Sequence, residues 1–246
     1  MSKYITTDLD LIGVLQTAEE SDLTIISDYI TDSGKGRISL DSSVRAYLEV
    51  CRQSNALSEN INVLAKEIQD FGGNTIMNFF RGKGVPYPEI VEDVASHFKV
   101  KADKTESTES LETKILLAVA VKAMEKMSPT EQRDFASKIS GGRVVGAGPG
   151  VIDALQAAVV AGGYGTYMLA AAVANGAAEQ LLGRGLVLAA NGALMRGIGA
   201  FAGPIGWAVT VIWALFDLAS PAYRVTVPCV LQIAYLRQRS KETKAS

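Results

Sequence analysis

The chain is short of the side chains that usually do chemistry. Of its 246 residues one is histidine, His97, and two are cysteine, Cys51 and Cys229. A histidine-based metal site would need carboxylate or thiolate partners, and none stand at ligand spacing. The cysteines lie far apart with no CxxC pair, so neither a zinc site nor a disulfide framework is implied and both read as buried thiols. His97 reads as the end of an amphipathic helix, where a cation suits the dipole. No GxxxxGK[ST] occurs, and Gly146-Ala147-Gly148-Pro149-Gly150 lacks both the GxGxxG spacing and a preceding strand. A nucleophile elbow, GxSxG, is also missing. Glu89, Glu92 and Asp93 fall on a solvated helix face. The basic residues Arg81, Lys83, Lys99, Lys101 and Lys104 are interrupted by acids and lack interleaved aromatics, which argues against nucleic acid. The expectation is a protein without catalytic residues, cofactor or metal.

Charge is the second scarcity, and it is local. Between Asp153 and Asp217 only Glu179, Arg184 and Arg196 are charged, leaving uncharged runs at 154–178 and 197–216. About 18 or more apolar residues are needed to span a bilayer. Both runs reach that length but are diluted by Gly, Ala, Asn and Pro. The rest of the charge is unevenly shared. Residues 1–140 hold 16 Lys+Arg against 22 Asp+Glu, and residues 141–246 hold 8 against 4, so a front of −6 meets a back of +4. The N-terminus shows no basic region followed by an apolar core, so no signal peptide is expected and a cytoplasmic origin follows.

Alternating apolar and polar residues are missing too, and the apolar spacing is helical, which makes the chain all-α. Helices are predicted over 8–17, 22–30, 41–53, 58–72, 87–98 and 107–127, with a short one carrying Ile76, Phe79 and Phe80. Ser128-Pro129-Thr130-Glu131 is a capping box with proline at the first helical position, and its helix runs to Gly141-Gly142. Four parts follow: a small module over 1–37, an amphipathic helical domain over 38–140, a glycine hinge over 141–150 that includes Gly146, Gly148 and Gly150, and a Gly/Ala-rich apolar region over 151–246 ending in a polar, basic tail from Arg237.

Past the hinge, small residues recur every four positions, as at Ala170, Ala174 and Ala178 or Gly199 and Gly203, a spacing that lets helix backbones approach closely. Pro204 sits where a helix's first turn tolerates a missing amide. Trp207 and Trp213 lie about two turns apart on the most apolar helix, which suits a membrane interface or a buried core. Arg184 and Arg196 would each cost about 2.5 to 3.5 kcal/mol at the centre of an inserted helix, so they fit better in a connecting loop or on a polar face. Two readings stand. In the first, the back is a helical hairpin that contacts or enters a bilayer through Arg184, Arg196, Gly199, Gly203, Pro204, Trp207 and Trp213, at the inner membrane, as a latent pore-former or homo-oligomeric effector. In the second, it is the core or client groove of a protein-interaction module or assembly chaperone. The partner is membrane lipid in the one and a protein in the other.

Several stretches resemble the YaaW family of bacterial proteins: the module over 8–37, Phe71-Gly72-Gly73 followed by Arg81-Gly82-x-Gly84, Lys101-Ala102-Asp103-Lys104, Gly203-Pro204-x-Gly206, and Ala222-Tyr223-Arg224-Val225-Thr226-Val227-Pro228 with Leu231-Gln232-Ile233-Ala234. The resemblance covers nearly the whole chain in order. It implies a helical bacterial protein, distantly grouped with assembly chaperones for the ubiquinol–cytochrome c reductase complex, with no catalytic residues to carry over.

Overall fold

A computed structural model describes residues 8–35, 40–72, 84–103, 105–143, 150–186, 199, 201–217, with backbone alone beyond 211, and 222–245. Gly73, Arg81, Gly146, Gly148, Arg196, the Trp213 side chain, the short helix expected around Ile76 to Phe80 and most of the glycine hinge lie outside the described residues.

The described elements are helices, with no strand among them. They are α1 (Leu9–Leu15), α2 (Glu20–Thr31), α3 (Ser42–Gln53), α4 (Ile61–Gly72), α5 (Tyr87–His97), α6 (Thr108–Met124), α7 (Pro129–Ile139), α8 (Val151–Val160), α9 (Tyr164–Leu182), α10 (Ala202–Asp217) and α11 (Tyr223–Ala245), with a single 3₁₀ turn at Ser58–Asn60 leading into α4. Local chemistry sets several starts. The Asp8 carboxylate caps α1 through Leu11 N, Ser107 caps α6 through Ser110 N, and the expected box at Ser128 and Glu131 closes in both directions at α7. Each cap satisfies amides that the first turn leaves without partners.

Two helices form the axis. From Gly165 to Ala178 every residue of α9 except the half-exposed Tyr167 is buried, and α11 is buried almost without interruption from Tyr223 to Leu236. The two pack on each other. Around α11 lie α1, α2, α4, α5 and α6 from the acidic front, with α10 beside it, while α10 and α6 flank α9. The Gly/Ala helix thus packs inside a bundle, and the core cluster runs unbroken from Leu11 to Leu236.

Two expectations are corrected. The uncharged run over 154–178 is not one helix: α8 and α9 meet at 109°, at an elbow made by Gly162 and Gly163. Both glycines have positive φ, +81° and +66°, which a residue with a Cβ adopts only under strain. The basic tail is not a tail. Residues 237–245 continue α11, whose helical backbone runs through Pro228.

Candidate functional site

The charged end of α11 lies against the acidic front. The Arg237 guanidinium bonds both Asp10 oxygens, at 2.7 and 2.8 Å, and both Glu112 oxygens, at 2.8 and 3.2 Å. Glu112 is 1% exposed and also accepts from the Tyr87 hydroxyl at 2.7 Å. Asp8 extends the knot, accepting from Tyr87 N at 2.7 Å while capping α1. Two residues on, Arg239 bonds the buried Asp22 at 2.6 Å, and Gln238 and Lys241 both donate to Glu109. Four cationic or amide side chains of one helix end thereby bind α1, α2 and α6 together.

The surroundings shift these groups in opposite senses. Burial pushes the Glu112 carboxyl above its ordinary value, with Arg237 and the Tyr87 hydroxyl opposing. Asp22 is raised for the same reason, against the pull of Arg239. Asp10, closer to solvent, is lowered by its bonds to Arg237. At Glu109 burial works upward but is outweighed by Lys241 and Gln238, so its carboxyl is lowered. These groups are sealed by protein or paired among themselves, and they are best understood as a clasp.

A groove opens beside the clasp. It has a volume of about 470 Å³ and lies between the first turns of α6, the α8–α9 elbow and the end of α11. Its floor is Leu117 and Val159, and its rim carries Lys114, Lys241 and Glu242. On the elbow, Val160 is 74% exposed and Tyr164 46%, and Ala157, Ala161, Gly162 and Gly163 are exposed between and beside them. An uncharged apolar ridge therefore borders a groove with a polar rim.

The residues singled out from the sequence scatter over several places. Arg184 follows the end of α9 and pairs with the buried Asp28 of α2, so it ties back to front. Gly199 and Gly203 are exposed, Pro204 is half-buried in the first turn of α10, and Trp207 is half-buried under Lys122 of α6 and Lys126 just beyond its end. Gly150 is the residue before α8. Of the motif residues, Gly72, at the end of α4, and Tyr223, at the start of α11, line one small pocket with Ile90, Asp93 and Thr226, and Phe71 is buried. There Tyr223 packs on the His97 ring at 3.8 Å, and burial pushes its hydroxyl up to about 12. Pro228 is buried inside α11, while Arg224 faces solvent. Both cysteines are buried and unbridged. Sequence reading missed Glu112, Asp22 and Asp28 as partners. A signal for them existed in the opposite charges of the two halves.

Residues 60–231 match the ubiquinol-cytochrome C chaperone family, so the chain belongs to that family. Within it, the chain resembles proteins named UPF0174. One from Helicobacter pylori strain J99 is 32% identical over 239 residues, covering 94% of this chain and 93% of that protein. A second, from Helicobacter pylori strain 26695, is 37% identical over 183 residues, covering 72% and 88%. The UPF0174 protein YaaW of Escherichia coli K12 is 32% identical over 244 residues, covering 96% of each. No solved structure matches.

Proposed function

We propose that this protein is a non-enzymatic interaction module, an assembly chaperone that holds a helical segment of a client protein against the α8–α9 ridge and the adjoining groove. The match to a family described as ubiquinol-cytochrome C chaperones supports a protein client. The observation that carries the site is the exposed uncharged elbow, Ala157 to Tyr164, beside a groove whose floor is apolar and whose rim is charged. An amphipathic client helix would lay its apolar face on such a surface and leave its polar face to the rim. Val160→Lys with Tyr164→Lys, in the tagged full-length protein, tests this. The client retained by the wild type, identified and purified, should bind the variant at least about tenfold more weakly, since burying a lysine against an apolar partner costs over about 1.4 kcal/mol. Equal binding removes the ridge from the reading.

A second reading rests on one observation. The bent pair Val151–Val160 and Tyr164–Leu182 together has the length and composition of a membrane span, although no single described helix does. As an inserting or pore-forming effector the protein would open at the elbow, and could assemble into homo-oligomers in the bilayer. This asks α9 to leave a core in which nearly all of it is buried. Carbonate-washed membranes and dye-filled liposomes test it: full extraction together with no dye release rules it out.

A further inference from the structure

We propose that the face made by the end of α6, the end of α7 and the start of α10 docks on an anionic phospholipid surface, with lysines on the headgroups and Trp207 at the interface. Three ammonium groups gather over two aromatic rings, Phe201 just before α10 and Trp207 within it. Lys122 Nζ and Lys126 Nζ stand 5.7 and 4.8 Å from the Trp207 ring centre, and Lys138 Nζ stands 5.0 Å from that of Phe201. Phe201 is fixed below them, edge-on to Phe135 at 5.0 Å.

The charge on this face is unbalanced in a way the clasp is not. Lys126 and Lys138 are exposed and have no carboxylate partner among the described residues. Of the neighbouring acids, Glu125 pairs with Lys122 and Asp134 with Arg133, while Glu131 keeps its charge in the cap at the opposite end of α7. The described outward residues of α10, Gly203, Pro204 and Thr210, are uncharged. Ammonium groups outermost would meet headgroup phosphates, and the half-buried indole behind them would be covered on docking, at the depth where lysine and tryptophan concentrate. The face is separate from the elbow and its groove, so it stands or falls without the chaperone reading.

The test uses the full-length protein with Trp213→Phe, which leaves Trp207 as its sole indole. It is mixed with vesicles of phosphatidylcholine alone, and of phosphatidylcholine with an equal share of phosphatidylglycerol, at low and high salt. Binding is expected only to the anionic vesicles at low salt, with a blue shift of Trp207 emission. Lys126→Gln with Lys138→Gln should weaken partitioning about 25-fold, at about fivefold per lysine. A control double, Lys101→Gln with Lys244→Gln, removes the same charge elsewhere and should change it less than about twofold. Circular dichroism checks that each variant is folded. Equal binding to both vesicle types, no binding to either, or an equal loss in the control double overturns the proposal. A blue shift with an acidic helical peptide but not with vesicles would assign the face to a protein partner and overturn it as well.

Discussion

The two axial helices are buried by opposite means. Helix α9 is enclosed because Ala and Gly dominate its middle, 170–178: at Gly176 an added Cβ would lie 2.5 Å from Ile205 Cγ2 and 2.9 Å from its Cβ, so α10 packs close to its backbone there. Helix α11 is enclosed by large residues over its first three turns and by cations at its end, where Arg237 and Arg239 reach buried carboxylates. One helix depends on shape and the other on charge pairing. The first tolerates little added volume and the second little lost charge, so substitutions on the two should fail for different reasons.

The largest effect is expected on the charged side. Arg237→Ala leaves Glu112 buried without its cation and should destabilise the fold by about 3 to 5 kcal/mol, the range for breaking a buried pair from one side. Arg237→Met combined with Glu112→Leu should recover part of that loss, since desolvation of both charges is removed while the buried Tyr87 hydroxyl loses its acceptor. Urea melts of the three proteins decide it. A double variant as unstable as Arg237→Ala would mean that the pair itself, and not the orphaned carboxylate, carries the stability.

On the shape side, Gly176→Leu should cost about 1 to 3 kcal/mol through overpacking against Ile205, whose branched Cβ cannot swing aside. Leucine is the better helix former by somewhat under about 1 kcal/mol, which offsets only part of the loss. Urea melts of the variant and the wild type measure the loss. If Gly176→Leu proves neutral, close backbone approach is not what holds α9 in place.

This difference bears on what could be read from the sequence. The helices of the front were legible because their apolar residues recur at helical spacing and their caps are local, as at Ser128 and Glu131. Stripes of Ala and Gly in the back announced close packing but not the partner, because a small residue fits against a neighbouring helix or in lipid equally well. The elbow at Gly162 and Gly163 was concealed for the same reason: a glycine pair inside an apolar run reads as dilution until its φ values are known. Residues 237–245 looked like a solvated tail because their partners, Asp10, Asp22 and Glu112, lie more than 100 positions away. Only the net charges of the two halves carried that information.

A smaller gain is expected from a polar residue at the centre of α11. Gln232 is fully buried, and neither its amide nitrogen nor its oxygen has a hydrogen-bond partner among the described residues. Gln232→Leu keeps the volume roughly constant and removes two desolvated groups, so it should stabilise the fold by about 1 to 2 kcal/mol. Destabilisation would show that the amide finds partners in solution. If the stabilised protein also loses its client, the polar core residue is kept at the expense of stability for function.

The smallest effect separates two carboxylates bound to the same guanidinium. Asp10 is lowered in the folded protein, so what it contributes is fully present above the unfolded value of about 4 and is lost as pH falls through its lower folded value. Glu112 is raised, and the sign reverses: the folded protein takes up a proton where the unfolded chain has not yet done so, and this gains stability as pH falls through its raised folded value towards the unfolded value of about 4. Asp10→Asn should therefore flatten the acid limb of the stability profile below about pH 4, by less than about 1 kcal/mol because Asp10 is largely open to solvent. Glu112→Gln should flatten it above about pH 4, where the raised carboxyl of the folded protein titrates and the unfolded one does not. Chemical denaturation at several pH values separates the two. Identical profiles for both variants would mean that Asp10 and Glu112 titrate as one unit through Arg237, and the clasp would then be a single coupled site whose acid response belongs to neither carboxylate alone.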